Sequence, residues 1–367
     1  MAELVDALDS NSSGLGRAGS IPALGTKTPD NIVVRGFVFC GGQNQNSNLY
    51  YIHLMELHSS LQSESDKFTN QGENTIRNHD LHKTYNHIII NIGGDFNLLK
   101  YQFDNEVEIR CQSNVMFQNC VFIHGLSFTD QTNGAIEFYD CFFLGKINFN
   151  KNNNGNLHVK FINCSIENSE TSLVINIGNV FISNCNFKVV HCGKNAKSLE
   201  IIDNLSHQFD EVNVLNSTLT SLTINKSKIS SLNVQDSHQA DVSISQSDFD
   251  TIVFNNHIGR VKLESNKIGN LISNDNIDKA SLNILDGNEI TLVEINSFSG
   301  KNILIDNSVI KELTLFTIKS KEDILISKIE QLELVEIYGV MTQLRLSDLT
   351  LNKLSIKEMD CIHLTGQ

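Results

Sequence analysis

The chain has no tryptophan and only 2 prolines in 367 residues. Almost nothing along it forbids continuous backbone pairing, since proline is the residue that removes a ladder donor. No apolar run reaches the roughly 18–20 residues that a membrane helix needs. There is no C-x-x-C spacing, nucleophile elbow, phosphate-binding loop or dinucleotide-binding glycine motif, so none of those chemistries has its usual carrier. Basic residues are also in deficit, 28 against 42 acidic, giving a net charge of −14. With no basic stripe to neutralise phosphates, generic nucleic-acid binding is not supported.

What fills the chain instead is a repeat. An apolar residue, two mostly polar residues, a small residue, one further position and a second apolar residue recur as FQNCVF from Phe117, FYDCFF from Phe138, FINCSI from Phe161 and ISNCNF from Ile182. Weaker copies begin at Ile202, Ile224, Ile244, Leu263, Ile284 and Ile305, and shortened ones at Ile326 and Leu346. The starts lie 19 to 23 residues apart. Such a steady period signifies one structural unit stacked about a dozen times, each unit too small to bury its own apolar face.

A second strand-like run joins the repeat from Val214 onward: Leu222, Leu232, Val242, Ile252, Val261 and Leu271 each open one, and Ile303, Leu313 and Ile324 continue the series. Two strands per repeat make a coil of about 20 residues. A tighter echo runs through Ile224, Ile229, Val234, Gln239, Ile244, Phe249 and Phe254, each five apart, with Ser227, Ser237 and Ser247 between them. This stretch resembles a degenerate pentapeptide-repeat solenoid, whose coils have four five-residue sides. The longer N-C-x-F coils of the first half resemble the looser β-helix of pectate-lyase-like proteins. Both resemblances cover about 117–350 and imply the same expectation: an all-β, single right-handed parallel β-helix. Asn119, Asp140, Asn163, Asn184, Asn204 and Asn307 share the third repeat position, where stacked amides suit tight corners.

Four of the eight cysteines, Cys120, Cys141, Cys164 and Cys185, hold one place in successive repeats. Regular placement favours an inward ladder of free, apolar thiols over disulfides or a tetrahedral metal site, and so leans towards a reducing, cytoplasmic compartment.

The first 27 residues share nothing with the remainder. Met1–Asp9, the run from Gly19 to Pro22 and the run from Leu24 to Lys27 resemble, in order, the D arm, T arm and acceptor strand of a translated bacterial leucine transfer-RNA gene. The expectation is a spurious, disordered leader over 1–30, with a natural disordered leader as the alternative. Residues 31–86 read as an irregular N-terminal cap and insertion. Within it 31–42 alternates like a strand, LYYIHLMELHSSL from Leu49 favours a helix over a strand, and 62–86 reads as a loop. Residues 87–367 read as the β-helix.

No position stands out as catalytic, cofactor-binding or metal-binding. His79 and His82 flank Asp80 in the polar insertion, and His124, His158, His191, His207, His238 and His257 follow no evident register. A lyase or hydrolase would converge several carboxylates on one outer face. The candidates are Asp203, Asp248, Asp250, Asp286 and Asp306, and they fall at different coil positions. From residue 200 onward the chain holds 24 acidic and 14 basic residues. The leading expectation is a non-enzymatic scaffold that presents its sides to a protein or glycan. A carbohydrate-active enzyme is the alternative, and the pentapeptide resemblance adds an acidic DNA mimic as a third.

Overall fold

The computed structural model describes the backbone of 31–34, 37–43, 49–56, 74–76, 87–92, 96–99, 101–103 and, with short breaks, 106–365; its side chains are described within 103–357. The leader expected over 1–30 lies outside the described residues. Among those described, every regular element is a β-strand and there is no helix. Parallel strands stack as a β-solenoid, as the repeat implies. The chain divides into two compact units, Met1–Thr171 and Ser172–Gln367.

In the first unit, Asn31–Val34, Phe37–Gln43 and Leu49–Glu56 pair antiparallel in sequence. The helix favoured from Leu49 is therefore a strand over Leu49–Glu56, with Phe37–Gln43 on one side and His87–Ile92 parallel on the other. Two flanking partners satisfy its backbone on both edges, which outweighs a short run's weak helical preference. From there the unit is three-faced. Glu106–Cys111, Gly125–Phe128 and Lys146–Phe149 form one parallel face, and Val115–Gln118, Gly134–Tyr139 and Leu157–Ile162 a second. Tyr101–Phe103, Val121–Phe122, Phe142–Phe143 and Ser165–Ile166 form the third.

Inside, in-register stacking turns the repeated phenylalanines into columns. Phe117, Phe138 and Phe161 stack with centroids 5.0 Å apart at each step. Phe103, Phe122 and Phe143 form a second column at 4.9 and 5.1 Å, and Phe128 and Phe149 a third pair at 4.4 Å. Edge-on contacts, such as Phe138 with Phe143 at 5.5 Å, join the columns. Coil spacing forces this near-parallel stacking, since rings one strand apart meet at about 4.8 Å.

The second unit replaces the rings with aliphatic residues and has two long faces per coil. One carries the inward pairs Leu222 and Ile224, Val242 and Ile244, Val261 and Leu263, and Leu282 and Ile284, matched in register from coil to coil. The other carries Leu232 and Val234, then Ile252 and Phe254, then Leu271 and Ser273, then Val293 and Ile295. Ile201 pairs with Ile224, so the repeat near 202 begins one residue earlier than the sequence pattern suggested.

Each face ends in a left-handed residue. The first corner column of the unit runs Asn184, Asp203, Lys226, Gln246, Ser265, Gly287, Asn307, Lys328 and Asp348, all at positive φ. The second runs Asn216, Asp236, Asn256, Asp275, Ser297, Thr317 and Gly339. Asn, Asp and Gly dominate because they tolerate this conformation best. Asn204, grouped by sequence with the corner asparagines, instead lies one residue past its corner, Asp203, and is buried.

That next position turns the chain inward and is buried: Cys185, Asn204, Ser227, Ser247, Asn266, Asn288 and Ser308. A small polar side chain there reaches back to the carbonyl two residues earlier, as Ser227 Oγ does to Asn225 at 2.9 Å and Ser247 Oγ to Ser245 at 2.7 Å. Its oxygen also accepts the buried amide of the preceding coil. Cys185 N donates to Asn204 Oδ1 at 2.6 Å, Ser227 N to Ser247 Oγ at 3.1 Å, and Ser247 N to Asn266 Oδ1 at 3.0 Å. Asn266 N donates in turn to Asn288 Oδ1 at 3.0 Å. A polar ladder therefore runs through the apolar interior and satisfies the groups the corners leave unpaired.

Asn266→Ala removes the acceptor of Ser247 N and the donor to Ile244 O, and should cost roughly 2–4 kcal/mol of unfolding free energy. Asn266→Ser, which copies Ser247, should cost under about half of that; urea unfolding of both variants measures the difference. Thr317 holds φ 55° with a β-branched side chain. Thr317→Asn should therefore stabilise by about 0.5–1 kcal/mol in the same assay.

Candidate functional site

The second unit has an outer groove of about 630 Å³ on the side that follows its first corner column. Local sequence builds it turn by turn. After each corner comes the buried small residue, then one outward residue, then a large inward one, then a second outward residue. The first outward positions pair in register as Gln208, Lys228, Asp248, Lys267, Glu289 and Val309. The inward residues Ile229, Phe249, Ile268 and Ile290 make its floor. The second outward positions include Asp250, Gly269, Thr291 and Lys311.

Gly269 is required by packing. A Cβ on it would lie 2.4 Å from the Asp250 carbonyl oxygen, so only glycine lets the two coils approach there. Regular pairing skips both residues, passing from Phe249 with Ile268 to Thr251 with Asn270. The same step is skipped in the neighbouring coils, between Ile229 and Ser231 and between Ile290 and Leu292, so it is a regular bend of this column.

The groove's charges alternate in sign from coil to coil: Lys228, Asp248, Lys267, Glu289. Alternation suits stacking, because like charges one coil apart would repel. With Asp250 and Lys311 the lining holds three cations and three anions, neutral within a chain of net charge −14. None of these six forms an ion pair within 4.0 Å of another, whereas Lys226 reaches Asp203 at 3.9 Å and Arg345 reaches Asp323 at 2.7 Å.

Of the carboxylates singled out by sequence, the fold brings Asp248 and Asp250 together in this groove and adds Glu289. Asp203 sits at a corner beside Lys226. Asp286 accepts a hydrogen bond from Asn307 Nδ2 at 2.8 Å, and Asp306 one from Ser327 Oγ at 2.7 Å. Sequence reasoning missed the groove lysines and Glu289. Their signal was the residue immediately before each member of the inward series Ile229, Phe249, Ile268 and Ile290. His79, Asp80 and His82 lie outside the described residues.

A second outward column runs along the edge of the other face. Asn274 Nδ2 donates to Asn255 Oδ1 at 2.9 Å and Asn296 Nδ2 to Asn274 Oδ1 at 3.0 Å. The same register continues to Phe316 and Tyr338, with Lys357 Nζ 5.4 Å from the tyrosine ring centre. This amide column was not expected from sequence; in the series expected to stack, Asn163 Nδ2 donates to Asp140 Oδ1 at 3.2 Å, while Asn204 is buried one residue past its corner.

Cys120, Cys141, Cys164 and Cys185, the ladder the repeat suggested, are buried thiols outside any disulfide, and so is Cys192. In the first unit the thiols of Cys120, Cys141 and Cys164 each point to the carbonyl two residues earlier, at 3.5, 3.3 and 3.3 Å. They thus occupy the same inward corner position that serine and asparagine fill in the second unit. Burial pushes the Cys141 thiol up, while hydrogen bonding with the Cys120 and Cys164 thiols pulls it down, and the balance falls at about 5. Cys192, acted on by burial alone, is pushed up to about 12. Among the described residues, no group of three or more His, Cys, Asp or Glu side chains is arranged to hold a metal ion. No helix among them is long and apolar enough to cross a membrane.

No family model matches this chain, and no curated protein or solved structure matches it either.

The five buried thiols should resist a bulky maleimide in the folded chain and react once it is unfolded in urea, as peptide mapping by mass spectrometry would record. Rapid labelling of Cys141 without denaturant would contradict this placement.

Proposed function

We propose that this chain is a non-enzymatic β-solenoid scaffold whose second unit binds a protein or glycan partner along its lateral groove. The observation that carries the reading is the set of six charges lining the groove, alternating in sign along its first column, with no ion pair formed among them. Such charges are solvated in the free chain and available to an incoming ligand at little cost in broken internal pairs. The groove is open, and a ligand's polar groups would meet lysine and carboxylate by turns along its first column. A DNA mimic would want an unbroken acidic stripe. In this groove lysines interrupt the acids, and in the second corner column only Asp236 and Asp275 are acidic among seven corner residues.

The same groove favours one second reading. Asp248, Asp250 and Glu289 lie near one another with lysines between, which is the kind of outer-face convergence a carbohydrate-active enzyme uses.

Both readings are open to one set of variants of the full chain, assayed by glycan array and by binding of proteins from its native host. Lys228→Glu with Lys267→Glu should weaken capture of any ligand on the order of tenfold and leave the melting temperature within a few degrees. Undiminished capture would overturn the groove as the binding face. Release of new reducing ends or unsaturated sugars by the native chain, lost in Asp248→Asn or Asp250→Asn, would establish the enzymatic reading instead.

A further inference from the structure

The inward position after the second corner column runs Ser217, Ser237, His257, Asn276 and Phe298, and all five are buried. His257 is the only titratable side chain among them, at 1% exposure. Both of its ring nitrogens, Nδ1 and Nε2, lack a hydrogen-bond partner, and so does Oγ of Ser237 in the preceding coil. Its backbone is held normally, with His257 N donating to Asn276 Oδ1 at 2.9 Å. The ring instead fills space left by a glycine, since a Cβ on Gly259 would lie 2.9 Å from His257 Nε2 and 2.0 Å from the Ala240 carbonyl oxygen. It also packs against Phe254, with centroids 5.7 Å apart. Phe298 and Gly300 repeat this arrangement two coils later, where a glycine Cβ would meet the phenylalanine ring at 2.5 Å. Histidine thus stands where a hydrocarbon ring does the same packing.

We propose that His257 is an acid-sensitive latch of the second unit: neutral, its ring completes the interior of the coil around 241–260, and protonated, it must leave that interior and open the coil. An imidazolium has two donors and a charge, and for these the site offers only the Ala240 carbonyl as a backbone acceptor. Of the charged groups on the surrounding elements, Asp236 in the preceding coil is half-buried and bound to Asn256 and Gln235. Asp241 and Arg260 in its own coil, and Asp275 and Lys279 in the next, are exposed. Burial lowers the His257 pKa to about 4, outweighing the Asp241 charge and the Ala240 backbone carbonyl, which both favour the protonated ring.

The sign follows from linkage. The unfolded chain takes up the proton near the ordinary value of about 6.5, whereas the folded chain resists it until far lower. Stability contributed by the neutral ring is complete above about pH 6.5, falls as the pH drops, and is gone near pH 4. Because Asp248 and Asp250 belong to the same coil, its opening would also disturb the groove, but the latch does not depend on the groove's having a ligand.

The test compares urea unfolding of the full chain at pH 7.0 and pH 4.5 with that of His257→Phe, which copies Phe298, and His257→Asn, which copies Asn276. Other titrating groups are shared, so the difference between chains isolates this histidine. The unfolding equilibrium constant of the native chain should rise about a hundredfold more over that interval than those of the variants. A difference below about threefold for either folded variant would overturn the proposal. Proton NMR of the folded native chain gives a second readout should both variants fail to fold. The ring resonance should stay neutral at pH 5, and titration near 6.5 would overturn the latch.

Discussion

The structure depends on satisfying backbone groups where each coil turns inward. A parallel solenoid pairs its strands without difficulty, but every corner breaks the ladder and sends an amide into an apolar interior. An orphaned amide there costs about 1–3 kcal/mol, and the cost would recur at each turn. Along the first corner column of the second unit the chain meets it chiefly with small polar side chains, from Asn204 to Ser308. Ser247 shows the economy of the arrangement, with Oγ donating to the Ser245 carbonyl and accepting from Ser227 N. At Cys185, Ser227, Ser247 and Asn266 the next coil thereby completes the hydrogen bonding of the one before it.

This constraint also accounts for the difference between the units. Cysteine at the inward corner is a weak donor and a soft, nearly apolar body, and it accompanies the phenylalanine columns of the first unit. Serine and asparagine accept strongly and accompany the aliphatic interior of the second, where Asn204, Asn266 and Asn288 bond both along and between coils. The ladder cysteines are one solution to a backbone problem that serine solves elsewhere.

Much of this was legible from the spacing alone. The inward residues, the corner asparagines and the second strand of each coil follow from a fixed period, because stacking converts sequence separation directly into spatial register. The exceptions have physical causes. At Leu49 a local pattern compatible with a helix lost to strand partners on both sides, which no local pattern reveals. At Ile202 the fragment was misaligned by one residue, since Ile201 and Ile202 are equally apolar and only pairing with Ile224 decides between them. His257 had a readable signal, standing twenty residues after Ser237 in a serine's place, but a search for shared chemistry among histidines could not detect it. The groove charges were equally regular, yet they became a site only when coil stacking set Lys228, Asp248, Lys267 and Glu289 side by side.

The features on which the proposals rest stand out from a repetitive body: a column of charges that form no ion pair with one another, and an ionisable ring where the repeat needs none. The body itself rests on the corner ladder. Amide hydrogen exchange followed residue by residue tests that claim directly, at Cys185, Ser227, Ser247 and Asn266. These corner amides should be as strongly protected as the strand amides of Ile224 and Ile244, because each donates to a buried side chain of the next coil. Exchange at the rate of exposed loop amides would show that the ladder does not hold the coils together, and would contradict the account.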